Sequence, residues 1–167
     1  MVDQKEFKRP SWDDYFLGLA FVISARSRDI HTQHGCVITD GENRIIGTGY
    51  NSFVQGVDDT KFPTTRPDKY AFMIHSEENA LLNCKVPPRS CINATAYVTG
   101  QPCNNCFQRL IQGGVKRIVA ADRQGTQLES EETQKIFQLL LEESKVKFER
   151  RKIDLNWVFA HLTKFAE

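Results

Sequence analysis

The sequence predicts an α/β fold, with helices lying on the faces of a sheet. Three observations point there. The chain has 167 residues, 40% of them apolar, which suits a domain of ordinary size with a real core. Helical and strand periodicities follow one another as α-β-β-α-β-α-β-α-β-α, and the alternation of the later half is that of a sheet clothed by helices. Turn and stop signals fall between the segments, at Asp40-Gly41-Glu42-Asn43, Pro87-Pro88 and Gly113-Gly114.

Each element has its own warrant. Residues 1–10 read as an N-terminal lead-in and residues 11–167 as one domain. Ser11 can cap a helix, with Asp13 and Asp14 in its first turn. Trp12, Tyr15, Phe16, Leu19, Ala20, Val22 and Ile23 recur at helical spacing, and the helix is expected to end near Arg26 to Arg28. Cys36–Thr39 and Arg44–Tyr50 read as a hairpin about the Asp40–Asn43 turn. Residues 51–70 show no periodicity, and a structureless loop of that length in a small domain is usually functional. A short helix spans Ser76–Asn83, and Ala94–Thr99 reads as a buried strand. Cys103–Gln112 is a helix stopped by glycine. Val115–Ala121 is a strand, and Ser130 caps a helix carrying Ile136, Phe137 and Leu139 to Leu141. Val146–Lys152 alternates like a strand, and Asn156–Phe165 closes the chain as a helix. The five basic residues of Lys145–Lys152 read as a solvated strand face. Trp12 and Trp157 read as core or subunit-contact residues.

Composition excludes several functions. Twenty-two basic residues against 21 acidic ones give a net charge of +1, without the basic excess of a nucleic-acid wrapper. No run approaches the roughly 18 apolar residues of a membrane helix. The polar start MVDQKEFKRPSWDD does not read as a secretory signal. Five cysteines, an odd number, fit a reducing compartment better than a disulfide scaffold. The expected setting is therefore the cytoplasm, of a cell or of a virus-infected one. Reduced thiols are free to bind metal.

Two segments carry chemistry: His75-Ser76-Glu77 and Pro102-Cys103-Asn104-Asn105-Cys106. Cys103 and Cys106 are three apart at a helix start, on one face and at the positive end of the helix dipole, which favours thiolate. With the neutral nitrogen of His75 they form a zinc set of three ligands and leave a fourth position for water. Glu77, two residues from a ligand, can reach that water as a general acid/base without occupying the metal. A CxxC alone is equally a redox pair or half of a structural zinc site, and an HxE alone is close to noise. Together, each heading a helix, they match the signature of the zinc nucleobase deaminases. Cys36 and Cys84 read as small buried hydrophobes. His31 and His34 lack the partner spacing of a second metal site.

On these motifs the chain resembles the deoxycytidylate (dCMP) deaminases of the cytidine deaminase superfamily. The match runs from about Ser24 to Lys152 through SRDIHTQHGCVI, GTGYN with SFVQGVDD, HSEENALLN, and PCNNC with LIQGGVKRIV. The resemblance implies a three-layer α/β/α fold with a mixed central sheet. It implies hydrolysis of dCMP to dUMP and ammonia, feeding thymidylate synthesis. His75, Cys103 and Cys106 would hold Zn²⁺, Glu77 would shuttle protons, and Asn51 would hold the sugar. Ser76, where alanine is common, would contact substrate through its backbone. Ser27 and Arg28, at the end of the first helix, are candidates for the phosphate. Regulated members of the family are hexamers activated by dCTP and inhibited by dTTP. Ser52, Phe53, Gly56, Asp58 and Asp59, with Asn79 and Asn83, could form such an effector site, and Asp58 and Asp59 could hold Mg²⁺ with a triphosphate. His34 stands where the family has valine, and Ser52 and Val54 replace a glycine and a proline. Two rival readings remain. One is a deaminase of tRNA adenosine or of another nucleoside or nucleobase. The other is a non-catalytic zinc module, closed by Cys36 or His34 as fourth ligand.

Overall fold

The computed structural model describes residues 9–123 and 130–165; residues 1–8, most of the expected lead-in, lie outside them. Helix α1 covers Trp12–Ser24, and the Ser11 hydroxyl accepts from the Asp14 amide, as a serine N-cap should. It ends short of Arg26–Arg28. The Ser24 hydroxyl donates to the Phe21 carbonyl, a local bond that competes with the helical pattern, and Ala25 is the C-cap. Strands β1 (Gly35–Thr39) and β2 (Ile45–Tyr50) form the expected hairpin. Its turn is tied by Asp40, whose carboxylate accepts from the amides of Glu42 and Arg44.

The remaining elements are helix α2 (Ser76–Leu82), strand β3 (Thr95–Val98), helix α3 (Asn104–Gly113), strand β4 (Arg117–Ala121), helix α4 (Glu131–Ser144), strand β5 (Lys147–Arg151) and helix α5 (Asn156–Leu162). The five strands lie in the order β2-β1-β3-β4-β5. β1 is antiparallel to β2 and β3, whereas β3, β4 and β5 run parallel, so the sheet is mixed. The parallel half follows from its connections, each a helix long enough to carry the chain back.

Strand alternation divides the core between two faces. Cys36, Ile38, Ala96, Val98 and Ile118 point to one side and meet Ala80 of α2, Phe107 and Leu110 of α3, and Phe137 of α4. Val37, Tyr97, Val119 and Ala121 point to the other and meet Phe16, Leu17 and Ala20 of α1. Helix α5 adds to that side, with Trp157 over Gly18 and 5.7 Å from the Tyr15 ring. The result is the expected three-layer α/β/α arrangement. Trp12, by contrast, is 57% exposed and stacks on Phe16 from outside.

Two features aim the fold at one corner. The parallel strand β3 ends at Val98, and helix α3 starts shortly after it, so the α3 N-terminus sits at the carboxyl end of the sheet's centre. Helix α2 lies directly on β2. A Cβ on Gly49 would stand 2.3 Å from both the Ala80 nitrogen and the Ser76 carbonyl oxygen, and one on Gly47 would meet the Ala80 carbonyl at 2.5 Å. Two glycines, alternate along β2, thus let the helix backbone close onto the strand. Asn79 and Asn83, one turn apart on α2, donate to the carbonyls of Tyr50 and Thr48 at 2.8 and 3.0 Å. GTGYN and HSEENALLN are in this sense two halves of one joint.

The basic segment of β5 is only partly a solvated face. Arg117 binds both oxygens of Asp13 and pairs with Glu149, while Arg151 binds Asp14. This network fastens β4 and β5 to the first turn of α1.

Candidate active site

His75 and Cys103 are both N-cap residues, of α2 and α3, and Cys106 lies in the first turn of α3. Two helix N-termini therefore converge, and three ligand atoms come with them. The His75 Nδ1 lies 3.5 Å from the Cys103 Sγ and 3.4 Å from the Cys106 Sγ. Zinc bonds of about 2.1 Å to nitrogen and 2.3 Å to sulfur at a tetrahedral angle put those atoms roughly 3.5 Å apart. One imidazole and two thiols suit the same ion chemically, so the residues fit zinc on both counts. Among the described residues no further His, Cys, Asp or Glu atom joins the group. Cys36 is wholly buried in β1, and burial pushes its thiol up. Neither it nor His34 closes the site.

The cysteines are electrostatically prepared. The hydrogen bond from Cys106, followed by that of His75, lowers the Cys103 thiol, while the same hydrogen bond and burial raise that of Cys106, so the pair shares one readily lost proton. All five cysteines are free thiols. Glu77 is only 6% exposed, and burial raises its carboxyl above the usual range. The Ser76 hydroxyl donates to its Oε2 at 2.8 Å. A buried carboxyl whose ionised form is disfavoured holds a proton more readily than an exposed one, as a general acid/base must.

Asn51 is held from two sides. Its Oδ1 accepts from the His34 amide at 2.7 Å, and its Nδ2 donates to the Thr32 carbonyl at 2.8 Å. One N–H of the carboxamide stays available to a ligand. Ser52 and Ile74 pair as an antiparallel bridge, which closes the loop 52–74 at its neck. Asn51 and His75 flank that bridge, so the neck brings them side by side.

The pattern described as the cytidine and deoxycytidylate deaminase zinc-binding region matches residues 10–122. The chain belongs to this family. A probable deoxycytidylate deaminase of Caenorhabditis elegans is 44% identical over 107 residues, 62% of this chain and 53% of that protein. The deoxycytidylate deaminase of Homo sapiens is 35% identical over 115 residues, 65% of this chain and 63% of that one. The chain thus spans between half and two thirds of the length of these curated relatives. The crystal structure of dCMP deaminase from the cyanophage S-TIM5 in complex with dCMP and dUMP shares the fold. Its TM-score is 0.61 at 21% identity, covering 86% of this chain and 99% of that one.

Within this family frame the other expected site residues separate. Ser52, Phe53, Gly56, Asp59, Asn79 and Asn83 all line a cleft of about 520 Å³. Asp58 does not line it; its carboxylate accepts from Thr60 and faces Lys61. Asp59 pairs with Arg28. Ser27 and Arg28 part company: Arg28 opens onto the cleft, whereas Ser27 is buried and its hydroxyl accepts from the Asp29 amide.

Several residues of the site gave no sequence signal. The Thr99 hydroxyl binds the Gly35 amide at 3.0 Å and lies 3.2 Å from the His34 Nδ1. Burial holds the His34 imidazole down to about 4, so it is neutral at neutral pH. Arg66 donates to the Thr32 hydroxyl and Arg123 to the Gln33 carbonyl, which places two cations beside the Asn51 loop. Lys69, in the turn Asp68–Ala71 of the long loop, is 2% exposed and bonds Asp29 at 2.5 Å. A lysine in a polar loop reads as solvated, and only its partner 40 residues away in sequence reveals otherwise.

Proposed function

We propose that the chain is a zinc-dependent deaminase that converts dCMP and water to dUMP and ammonia. The observation that carries this is the open three-ligand group of His75, Cys103 and Cys106, with the buried Glu77 carboxyl beside it on α2. When bound, zinc polarises a water and lowers its pKa to about 7, supplying a nucleophile at neutral pH. Glu77 accepts the proton of the attacking water and passes it to N3 of the cytosine ring. A C–O bond forms at C4. Glu77 then takes the remaining proton from the new C4 hydroxyl and gives it to the departing 4-amino group; the C4–N bond breaks as the C4 carbonyl forms, and ammonia leaves. Asn51 holds the sugar, and the backbone at Ser76 meets the base. The cations next to Asn51, Arg66 and Arg123, are the better candidates for the substrate phosphate. Arg28 faces the cleft, and the buried Ser27 hydroxyl is already engaged.

The relatives named deoxycytidylate deaminase support dCMP as substrate, as does the fold shared with a phage enzyme crystallised with dCMP and dUMP. Three ligands and no fourth among the described residues favour an enzyme over a closed zinc module. The cleft supports an effector site for dCTP as activator and dTTP as inhibitor. Phe53 offers a stacking face, and Arg26 and Arg28 offer cations. Any Mg²⁺ there would arrive with the triphosphate, since Asp58 and Asp59 already face Lys61 and Arg28. A homohexamer and a cytoplasmic setting complete the proposal; no helix among the described residues is long and apolar enough to cross a membrane.

The test is an assay of the zinc-loaded chain on dCMP, with and without dCTP or dTTP. Release of dUMP, raised by dCTP and lowered by dTTP, is expected. A chain with one zinc that leaves dCMP intact under every effector, yet deaminates tRNA or a free nucleoside, overturns the substrate assignment.

A further inference from the structure

The long loop contributes one fully buried charge, and its partner lies at the foot of the Asn51 loop. The side chains of Lys69 and Asp29 are 2% and 5% exposed, and Nζ donates to Oδ2 at 2.5 Å. The other oxygen of Asp29 accepts from the amides of His31 and Thr32, each at 3.0 Å. That carboxylate therefore fixes the turn 29–32. The turn in turn presents the Thr32 carbonyl, which accepts from the Asn51 Nδ2. The Asn51 Oδ1 is held by the His34 amide two residues further on. Every polar link from Lys69 to Asn51 is thus a hydrogen bond of 3.0 Å or less.

We infer that Lys69 is a positioning residue: through Asp29 and Thr32 it sets the orientation of the Asn51 carboxamide in the substrate site. This rests on the reading of Asn51 as a substrate residue. Lys69 ties the polar loop 52–74 to the buried Asp29 carboxylate; without it that carboxylate is no longer held from the loop side, and the turn that presents the Thr32 carbonyl to Asn51 loses a fixed point. Lys69 and Asp29 also line the cleft. A ligand seated there therefore meets the first link of the chain of bonds that ends at Asn51.

The alternative is that the pair merely stabilises the loop, and the two roles separate by experiment. The neutral pair Lys69→Met with Asp29→Asn removes the tether and leaves no lone buried charge, while the neutral asparagine Oδ1 accepts from the two amides more weakly than the carboxylate. It is compared with Asn51→Ala and with the triple variant, all in the full zinc-loaded chain. Amide hydrogen exchange is read at Thr32 and His34, and KM and kcat are read with dCMP. In the neutral pair those two amides are expected to exchange at least tenfold faster while β1 and β3 keep their protection. KM is expected to rise at least tenfold with kcat within threefold, the mark of lost uniform binding. In the Asn51→Ala background the neutral pair is expected to add nothing, because both changes then act through one side chain. Wild-type protection at Thr32 and His34, an unchanged KM, or additive effects in the triple variant each overturn the inference. Should the double variant not fold, Lys69→Met alone removes the tether while the Asp29 carboxylate keeps its two backbone amides, and it is held to the same outcomes. A wild-type chain that keeps zinc but ignores dCMP defeats the substrate assignment instead; exchange at Thr32 and His34 then decides this inference alone.

Discussion

In the proposed reaction the two oxygens of the buried Glu77 carboxyl receive and return protons. Its burial and the raised carboxyl suit that task, and the Ser76 hydroxyl steadies one oxygen at 2.8 Å. Glu77→Gln keeps the shape and loses the proton carrier. General acid/base groups contribute roughly 10²–10⁴-fold, and turnover of dCMP is expected to fall at least that far. Zinc content by metal analysis is expected to stay at the wild-type level, because Glu77 is not among the three ligand residues. Loss of zinc together with activity would make Glu77 a structural residue. His75, Cys103 and Cys106 were legible from the chain alone, because the chemistry demands particular residue types at helix starts. Thr99, Lys69 and Asp29 were not. Threonine, lysine and aspartate are common in loops, and what distinguishes these three is burial beside a partner tens of residues away.

Among the elements, the α2–β2 joint bears most on the site. It sets where His75 and Glu77 stand relative to Asn51. A methyl at Gly49 meets backbone atoms of Ser76, Asn79 and Ala80, none of which can rotate aside. Overpacking of this kind costs about 1–3 kcal/mol. Gly49→Ala is therefore expected to lower the urea midpoint and to reduce both zinc content and turnover, since the helix that starts at His75 must move outward. Asn83→Ala removes one bond to the Thr48 carbonyl and no packing, so a stability loss of about 1 kcal/mol with zinc retained is expected. Urea titration with metal analysis of both variants separates the two effects. The sequence pattern reported the α-helices and strands because capping and periodicity are local; it missed the short helical turns Asp59–Lys61 and Asp68–Ala71 in the stretch read as structureless, too brief for periodicity to show. Serine caps at Ser11 and Ser130, and the glycine stop at Gly114, stand where read. The first helix was read too long because the Ser24 hydroxyl turns back onto the Phe21 carbonyl, a detail that periodicity does not carry.

For the whole molecule, the charge network between α1 and the parallel strands decides how it meets acid. Hydrogen bonds from Arg117 chiefly hold the Asp13 carboxyl below the usual carboxylate range, and those from Arg151 do the same for Asp14. Unfolded aspartate titrates near about 3.9. The folded values lie lower, so the stabilisation is present above that point and is lost as pH falls through the folded values. The urea midpoint is expected to drop as pH falls below about 4. The drop is expected to be shallower in Asp13→Asn with Asp14→Asn, whose midpoint at pH 7 starts lower. Equal slopes in the two proteins would remove these groups from the acid response. Such a network is invisible to a local reading: Arg117 and Asp13 are 104 residues apart. The basic run Lys145–Lys152 shows its solvated character from composition, but not that Arg151 is engaged with the first helix.

The joint at β2 also governs what happens when the metal is taken away. Strand β2 is an edge of the sheet, and α2 covers it with the Asn79 and Asn83 side chains. The opposite edge, β5, carries Lys147, Glu149 and Arg150 toward water and repels a second copy by charge. β2 has no such guard of its own. Its Ile45-Ile46-Gly47-Thr48-Gly49-Tyr50 run is uncharged, so a loosened α2 would bare a ribbon able to pair with its like. Chelation is therefore expected to do more than abolish the proposed deamination. It should make the protein turn cloudy on warming, with light scattering that grows with protein concentration and is suppressed when zinc is returned before heating.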